Sequence, residues 1–203
     1  MLYIFDMGGV VTDTFTLNDK ICRVLGISIE QLREYGADPS IDFTKEPNAL
    51  YSLYSSGKIT TEEFWEKFSE KSGIKVTTDW LHWLFHPVLN EKTVEIVKAL
   101  RKNGNRVVCG TNTVTSHYLN HMERGDYAYF DQTYSSCHMG VSKPDPAFWE
   151  IIMKAENVQP KDCVFIDDKK LNCDAAAAMG IHAIQFTSAE QLAQDLGIRL
   201  SDC

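Results

Sequence analysis

Three apolar segments of this 203-residue chain end in side chains able to do chemistry. LYIF (residues 2–5) runs into Asp6, VVCG (107–110) into Thr111-Asn112, and CVFI (163–166) into Asp167-Asp168. Short runs of apolar, β-forming residues bounded by turn residues read as buried parallel strands. In an open parallel sheet, ligands bind beyond the carboxyl ends of the strands, where the strand order switches. These residues, far apart in sequence, are therefore expected to converge. Three carboxylates brought together are unstable unless protonated or neutralised. A hard divalent cation bound through oxygens neutralises them, and Mg²⁺ suits one or two carboxylates with waters and a substrate phosphate. Lys143, in the loop VSKPDP, supplies a further positive charge. Any one of these residues alone reads as a turn former, a helix cap or a surface turn. Their joint occurrence at strand ends is what points to a site.

The elements that must hold them alternate. After Pro87, Asn90 opens a helix carrying Val94, Ile96, Val97 and Leu100, stopped at Gly104. A strand follows at 106–110, a helix near 114–122, and a strand at 130–135. A helix then starts at Asp145-Pro146, with Pro in the first helical position. Strand 163–166, helix 171–179 closed by Gly180, strand 183–186 and a helix opened by Ser188 complete the series. Strands alternating with helices imply right-handed crossovers and a mostly parallel sheet covered on both faces. The fold class expected is thus α/β, a Rossmann-like, doubly wound parallel sheet. Residues 15–86 break the rhythm and read as an inserted helical cap, which leaves 1–14 and 87–203 as the core. Ser28-x-x-Gln31 and Thr60-x-x-Glu63 have capping-box form. Phe64, Trp65, Phe68, Trp80 and Trp83 are expected to form the cap's own core.

The bulk composition narrows the function classes. Apolar residues make up 44% and charged residues 24%, as in an ordinary globular chain able to bury a core. A net charge of -8 without a Lys/Arg cluster argues against nucleic-acid and anionic-membrane partners. No run of 18 apolar residues is present, so no membrane span is expected. The N-terminal MLYIFDMGGVV is short, lacks a basic flank and carries Asp6, so it reads as a strand and not a signal peptide. The six cysteines form no C-x-x-C pair; Cys109 and Cys163 read as buried thiols, and a cytoplasmic location is expected.

Four motifs in order resemble the haloacid dehalogenase superfamily of phosphohydrolases. They are Asp6-Met7-Gly8-Gly9-Val10-Val11-Thr12-Asp13-Thr14, then Thr111-Asn112, then Lys143-Pro144-Asp145-Pro146, then Asp167-Asp168-x-x-x-Asn172. Within it, MLYIFDMGGVV and Thr111-Asn112-Thr113 with His117 look similar to bacterial α-D-glucose-1-phosphate phosphatases. The resemblance implies that Asp6 is a nucleophile forming an aspartyl-phosphate on a small phosphorylated substrate. It implies Mg²⁺ held by Asp6, Asp167, Asp168 and the backbone carbonyl of Gly8. Thr111 hydroxyl and the neighbouring amide of Asn112 would hold a phosphoryl oxygen. Lys143 would offset charge on nucleophile and phosphate, and Asn172 would orient the loop of Asp167 and Asp168.

One position departs from the pattern. Most phosphatases of this superfamily carry an acid/base aspartate where this chain has Gly8. Such assistance is worth about 10²- to 10⁴-fold. Three readings follow: a substrate with a more acidic leaving group, such as a sugar 1-phosphate; another proton donor, with His117 a minor candidate; or a weak or inactive relative that binds phosphate. A metal-free dehalogenase also lacks this aspartate, but would have little use for two further carboxylates. Asp13 reads as the turn where the chain leaves for the cap, and Phe15 and Tyr35 as candidate substrate neighbours.

Overall fold

The strands form where apolar, β-forming residues run together, and all five expected strands are present. The computed structural model describes residues 1–14, 16–41 and 45–200; Phe15 lies outside them. In chain order the elements are β1 (Leu2–Phe5), α1 (Asn18–Leu25), α2 (Ile29–Glu34), α3 (Leu50–Ser55), α4 (Thr61–Ser72), α5 (Trp80–Trp83) and α6 (Glu91–Lys102). There follow β2 (Arg106–Thr111), α7 (Thr115–Arg124), β3 (Gln132–Ser135), α8 (Ser136–Met139) and α9 (Ala147–Glu156). The chain continues through β4 (Cys163–Asp167), α10 (Lys170–Ala178), β5 (His182–Gln185) and α11 (Ala189–Asp195).

The strands pair in parallel in the order β3-β2-β1-β4-β5. The chain builds outward from β1 to β3, then crosses back to place β4 on the other side of β1. The switch point therefore falls beside the end of β1, where a ligand crevice forms. Side-chain alternation splits the core into two layers. Phe5, Val107, Cys109, Val164 and Ile166 pack with Val97 and Leu100 of α6 and Leu192 of α11. Leu2, Ile4, Val108 and Phe165 pack with Phe148, Trp149 and Ile152 of α9 and Ala176 of α10. Among the described residues, no helix is long and apolar enough to cross a membrane.

The helices α1–α5 are inserted between β1 and α6 and share a separate apolar cluster. It contains Leu17, Ile21, Leu32, Tyr54, Phe64, Trp65, Phe68 and Leu81. Both capping boxes close with reciprocal bonds, at Ser28/Gln31 and Thr60/Glu63. Trp83 corrects the expected aromatic core: it is 64% exposed, because the four-residue α5 turns Leu81 inward instead. Tyr35 rests edge-on against Phe68 inside the insertion, 5.6 Å between ring centres. Asp13 stands where the chain leaves and returns. Its N–H donates to the Val88 carbonyl at 2.9 Å, and its carboxylate accepts the Val88 N–H at 2.8 Å.

Gly110 sets the spacing between β2 and the α9 layer. A Cβ there would lie 2.7 Å from Ile4 Cγ2 and 3.4 Å from Ile152 Cδ1 and Phe148 Cε1. We expect Gly110→Val to destabilise the fold by about 1–3 kcal/mol through overpacking. A urea midpoint equal to wild type would show that this layer is slack.

Candidate active site

Asp6 follows the last residue of β1, and its backbone N–H still donates to the Ile166 carbonyl of β4 at 2.8 Å. That bond keeps the carboxyl ends of the two strands level. Asp167 ends β4 and Asp168 follows it, so three carboxylates meet at the switch point. One oxygen from each of Asp6, Asp167 and Asp168 lies within 4.8 Å of the others. Two oxygens facing each other across one octahedral Mg²⁺ would be about 4 Å apart, so this spacing is close to that of a shared ion.

Lys143 enters from the loop after α8 and is 2% exposed. All three of its ammonium protons have acceptors. They go to Asp167 Oδ2 at 2.7 Å, Asp6 Oδ1 at 2.9 Å and the Gly110 carbonyl at 2.9 Å. The rings of Phe148 and Phe165 lie 5.7 and 5.4 Å from the same nitrogen. Burial pulls this ammonium down, but the Asp167 and Asp6 carboxylates outweigh it and push its pKa above the usual lysine range. Lys143 therefore stays charged.

The three acids are held differently. Asp167 is fully buried and saturated: besides Lys143, it accepts the Lys169 N–H at 2.8 Å and Asn172 Nδ2 at 3.0 Å on each oxygen. Asn172 is thus placed against the loop it was expected to orient. Asp6 accepts the Met7 N–H at 2.8 Å on Oδ1, the oxygen that also meets Lys143. Neither bond engages Oδ2. Burial pushes the Asp6 carboxyl up to about 6, against the pull of Lys143. Asp168 is also raised, by burial first and then by Asp167, and its Oδ1 is buried without a hydrogen-bond partner among the described residues.

That unpartnered oxygen tests whether a cation fits. A buried, unsatisfied carboxylate oxygen is costly, and three carboxylates against one buried ammonium leave two negative charges uncompensated. An all-oxygen donor set suits a hard divalent ion. The residues fit such an ion. Gly9 permits the approach, since a Cβ there would lie 2.8 Å from Asp168 Oδ2. Gly8 is exposed, and a Cβ added to it would meet nothing within 4 Å among the described residues.

Thr111 closes β2 beside this cluster and is 3% exposed. Asn112 spans two loops: its Nδ2 donates to the Lys143 carbonyl at 2.8 Å, and its Oδ1 accepts the Lys143 N–H at 2.8 Å. Its side chain is therefore committed to the lysine loop. The sequence reading missed this clamp. It also missed Lys169, an exposed ammonium whose field lowers both Asp6 and Asp168; its place directly after the acid pair was the available signal. His117 is buried against the insertion. Its ring stacks on Phe85 of the insertion at 3.9 Å, and burial lowers its pKa to about 3.

Flavin mononucleotide hydrolase 1 of Arabidopsis thaliana is 40% identical over 77 residues, 36% of this chain and 31% of that protein. D-ribitol-5-phosphate phosphatase of Bacteroides thetaiotaomicron is 23% identical over 210 residues, covering 98% of this chain and 97% of that one. The chain spans 14% to 39% of the length of three of the curated relatives it matches, the Arabidopsis protein among them. A haloacid dehalogenase-family enzyme from Bacteroides thetaiotaomicron, crystallised with magnesium and inorganic phosphate, superposes with a TM-score of 0.75 at 22% identity. It covers 94% of this chain and 98% of its own. At that identity the likeness concerns the fold. The family model described as haloacid dehalogenase-like hydrolase matches residues 1–180, nearly the whole of the sheet and every residue of the acidic cluster, and the chain belongs to that family of hydrolases.

Proposed function

We propose that this hydrolase is a Mg²⁺-dependent phosphatase that cleaves a small phosphorylated metabolite, a sugar phosphate, through an aspartyl-phosphate on Asp6. The observation that carries the reading is Lys143, buried and bridging Asp6 and Asp167 beside the unpartnered Asp168 Oδ1. The ammonium keeps the nucleophilic carboxylate ionised and meets the incoming phosphoryl charge. Asp6 Oδ2 attacks phosphorus, the ester P–O bond breaks, and the leaving group departs with the bonding pair as an alkoxide that takes its proton from water. Water then attacks the phosphorus of the acyl phosphate, releasing inorganic phosphate and restoring Asp6. Thr111 hydroxyl and the Asn112 amide hold a phosphoryl oxygen, and Asn172 fixes Asp167. Asp6, Asp168, Asp167 and the Gly8 carbonyl are the groups proposed to hold the ion, with residues 15–86 as a cap over the site. Bound there, Mg²⁺ supplies positive charge to the phosphoryl oxygens. Positioning and charge stabilisation are the main tasks in phosphoryl transfer.

The open space at Gly8 bears on the leaving group. No side chain there donates a proton, so leaving groups of low pKa are favoured, and an anomeric hydroxyl is more acidic than a simple alcohol. That matches the finer resemblance to glucose-1-phosphate phosphatases. The same position supports a second reading, a phosphate-binding relative with no turnover.

Asp6→Asn is expected to reduce Mg²⁺-dependent phosphate release by about 10⁴-fold or more, the scale of losing a nucleophile. Absence of phosphate release by folded wild-type protein across a panel of sugar phosphates would favour the second reading.

A titration tests the ion. The Asp6 pKa rises from 3.8 to about 6 on folding. The native state therefore holds more protons than the unfolded chain between those values, and metal-free stability falls as pH rises through that window. Mg²⁺ displaces the proton, so its stabilising effect should be larger at pH 7.5 than at pH 5, reaching about 2.7 kcal/mol at a hundred times Kd. Thermal unfolding with Mg²⁺ and with chelator measures it; a shift equal at both pH values counts against the carboxylate site.

Gly8→Asp should fold, given the open space. Hydrolysis of alkyl phosphates should rise by about 10²-fold, the lower end of general-acid assistance, with little change for anomeric phosphates. Equal effects on both classes would contradict the leaving-group argument.

A further inference from the structure

The turn 111–113 leads from β2 into α7, and what pins its far end comes from the insertion. Ser116, in the first turn of α7, donates its backbone N–H to the Tyr54 hydroxyl at 3.0 Å. Tyr54 belongs to α3, is 0% exposed, and lies 62 residues away in sequence. The same hydroxyl is 2.6 Å from Ser116 Oγ and 2.7 Å from Thr61 Oγ1. Counting protons sets the directions. Ser116 Oγ gives its single proton to Asp79 Oδ2 at 2.7 Å, so Tyr54 donates to Ser116 Oγ. Thr61 must then donate to Tyr54. The chain Thr61, Tyr54, Ser116, Asp79 ends on a carboxylate whose other oxygen accepts Trp65 Nε1 at 3.0 Å.

A second link runs alongside. The Thr113 N–H donates to Ser136 Oγ at 2.9 Å, and Ser136 Oγ donates to the Ser55 carbonyl at 2.7 Å. Ser55 is the neighbour of Tyr54, and the chain beyond it presses on α8. At Gly57, φ is +65°, and a Cβ would lie 2.0 Å from the Cys137 carbonyl oxygen. The segment 113–116 is thus held at both ends by the C-terminal half of α3, through buried hydroxyls with partners.

We propose that Tyr54 is a positioning residue for the phosphoryl-binding turn, and that the insertion acts on this side as a fixed wall setting the geometry of Thr111–Thr113. The proposal rests on the reading of that turn as a holder of a phosphoryl oxygen. Donors to a developing phosphoryl charge work only within about 2.7–3.1 Å. Removing the Tyr54 hydroxyl strands the Ser116 N–H and loosens the first turn of α7, and the donors upstream shift with it.

Tyr54→Phe keeps the ring and its stacking on Phe64 at 4.9 Å. The probes are inorganic phosphate, Mg²⁺ and p-nitrophenyl phosphate. Phosphate Kd measured calorimetrically with Mg²⁺, and kcat/KM, should each worsen by roughly 10- to 100-fold, the scale of a small misplacement. Mg²⁺ affinity without phosphate should stay unchanged, and amide exchange at Ser116 and Thr113 should quicken. A lowered unfolding midpoint with phosphate Kd and kcat/KM at wild-type values would overturn the proposal and leave Tyr54 a structural residue. Ser136→Ala cuts the parallel link and should act in the same direction, which covers a Tyr54→Phe protein that does not fold. Wild-type protein that neither binds nor releases phosphate removes the phosphatase reading itself, so the two failures are told apart.

Discussion

A single buried ammonium organises this molecule. Lys143 is almost fully buried, and its three protons reach β2, β4 and the residue that follows β1 through Gly110, Asp167 and Asp6. Removing one partner of a buried charge leaves the other uncompensated, at a cost of about 3–5 kcal/mol. The loop after α8 must therefore come back over the sheet, the strand ends must stay level, and Asn112 must clamp the lysine backbone. The sheet order with β1 between β2 and β4 is what brings those three acceptors together.

The same arrangement leaves charge in surplus. Asp167 is consumed by Lys143, Asn172 and the Lys169 amide, whereas Asp168 retains an oxygen with no partner. Burial then raises Asp6 and Asp168, which disfavours their ionised forms. An all-oxygen donor set of this kind suits a hard divalent cation.

The helical insertion is fastened to the core by specific bonds. Its aromatic cluster is built from local pairs such as Phe64 and Trp65, centres 5.0 Å apart, and from the Tyr54–Phe64 stack. That packing makes α3 rigid enough to present Tyr54 and the Ser55 carbonyl to the core. The crossing at Asp13 and Val88 ties the two connecting strands to each other. The insertion is thus joined to the core at the linkers and at α7 and α8.

Much of this was readable in the residues because it is local. An apolar run ending in Asp or Thr states both a buried strand and the side chain at its carboxyl end, so Asp6, Thr111, Asp167 and Asp168 were all identifiable. The capping boxes at Ser28 and Thr60 were legible for the same reason: donor and acceptor are three residues apart. Trp83 was misread because the identity of an aromatic residue does not tell which face of a four-residue helix turns inward. The sequence by itself determined the strands, the helices and the acids at their ends. Only the tertiary structure decided that Asn112 grips Lys143 across 31 residues and Tyr54 caps Ser116 across 62, because such partners are chosen by packing and carry no periodicity along the chain.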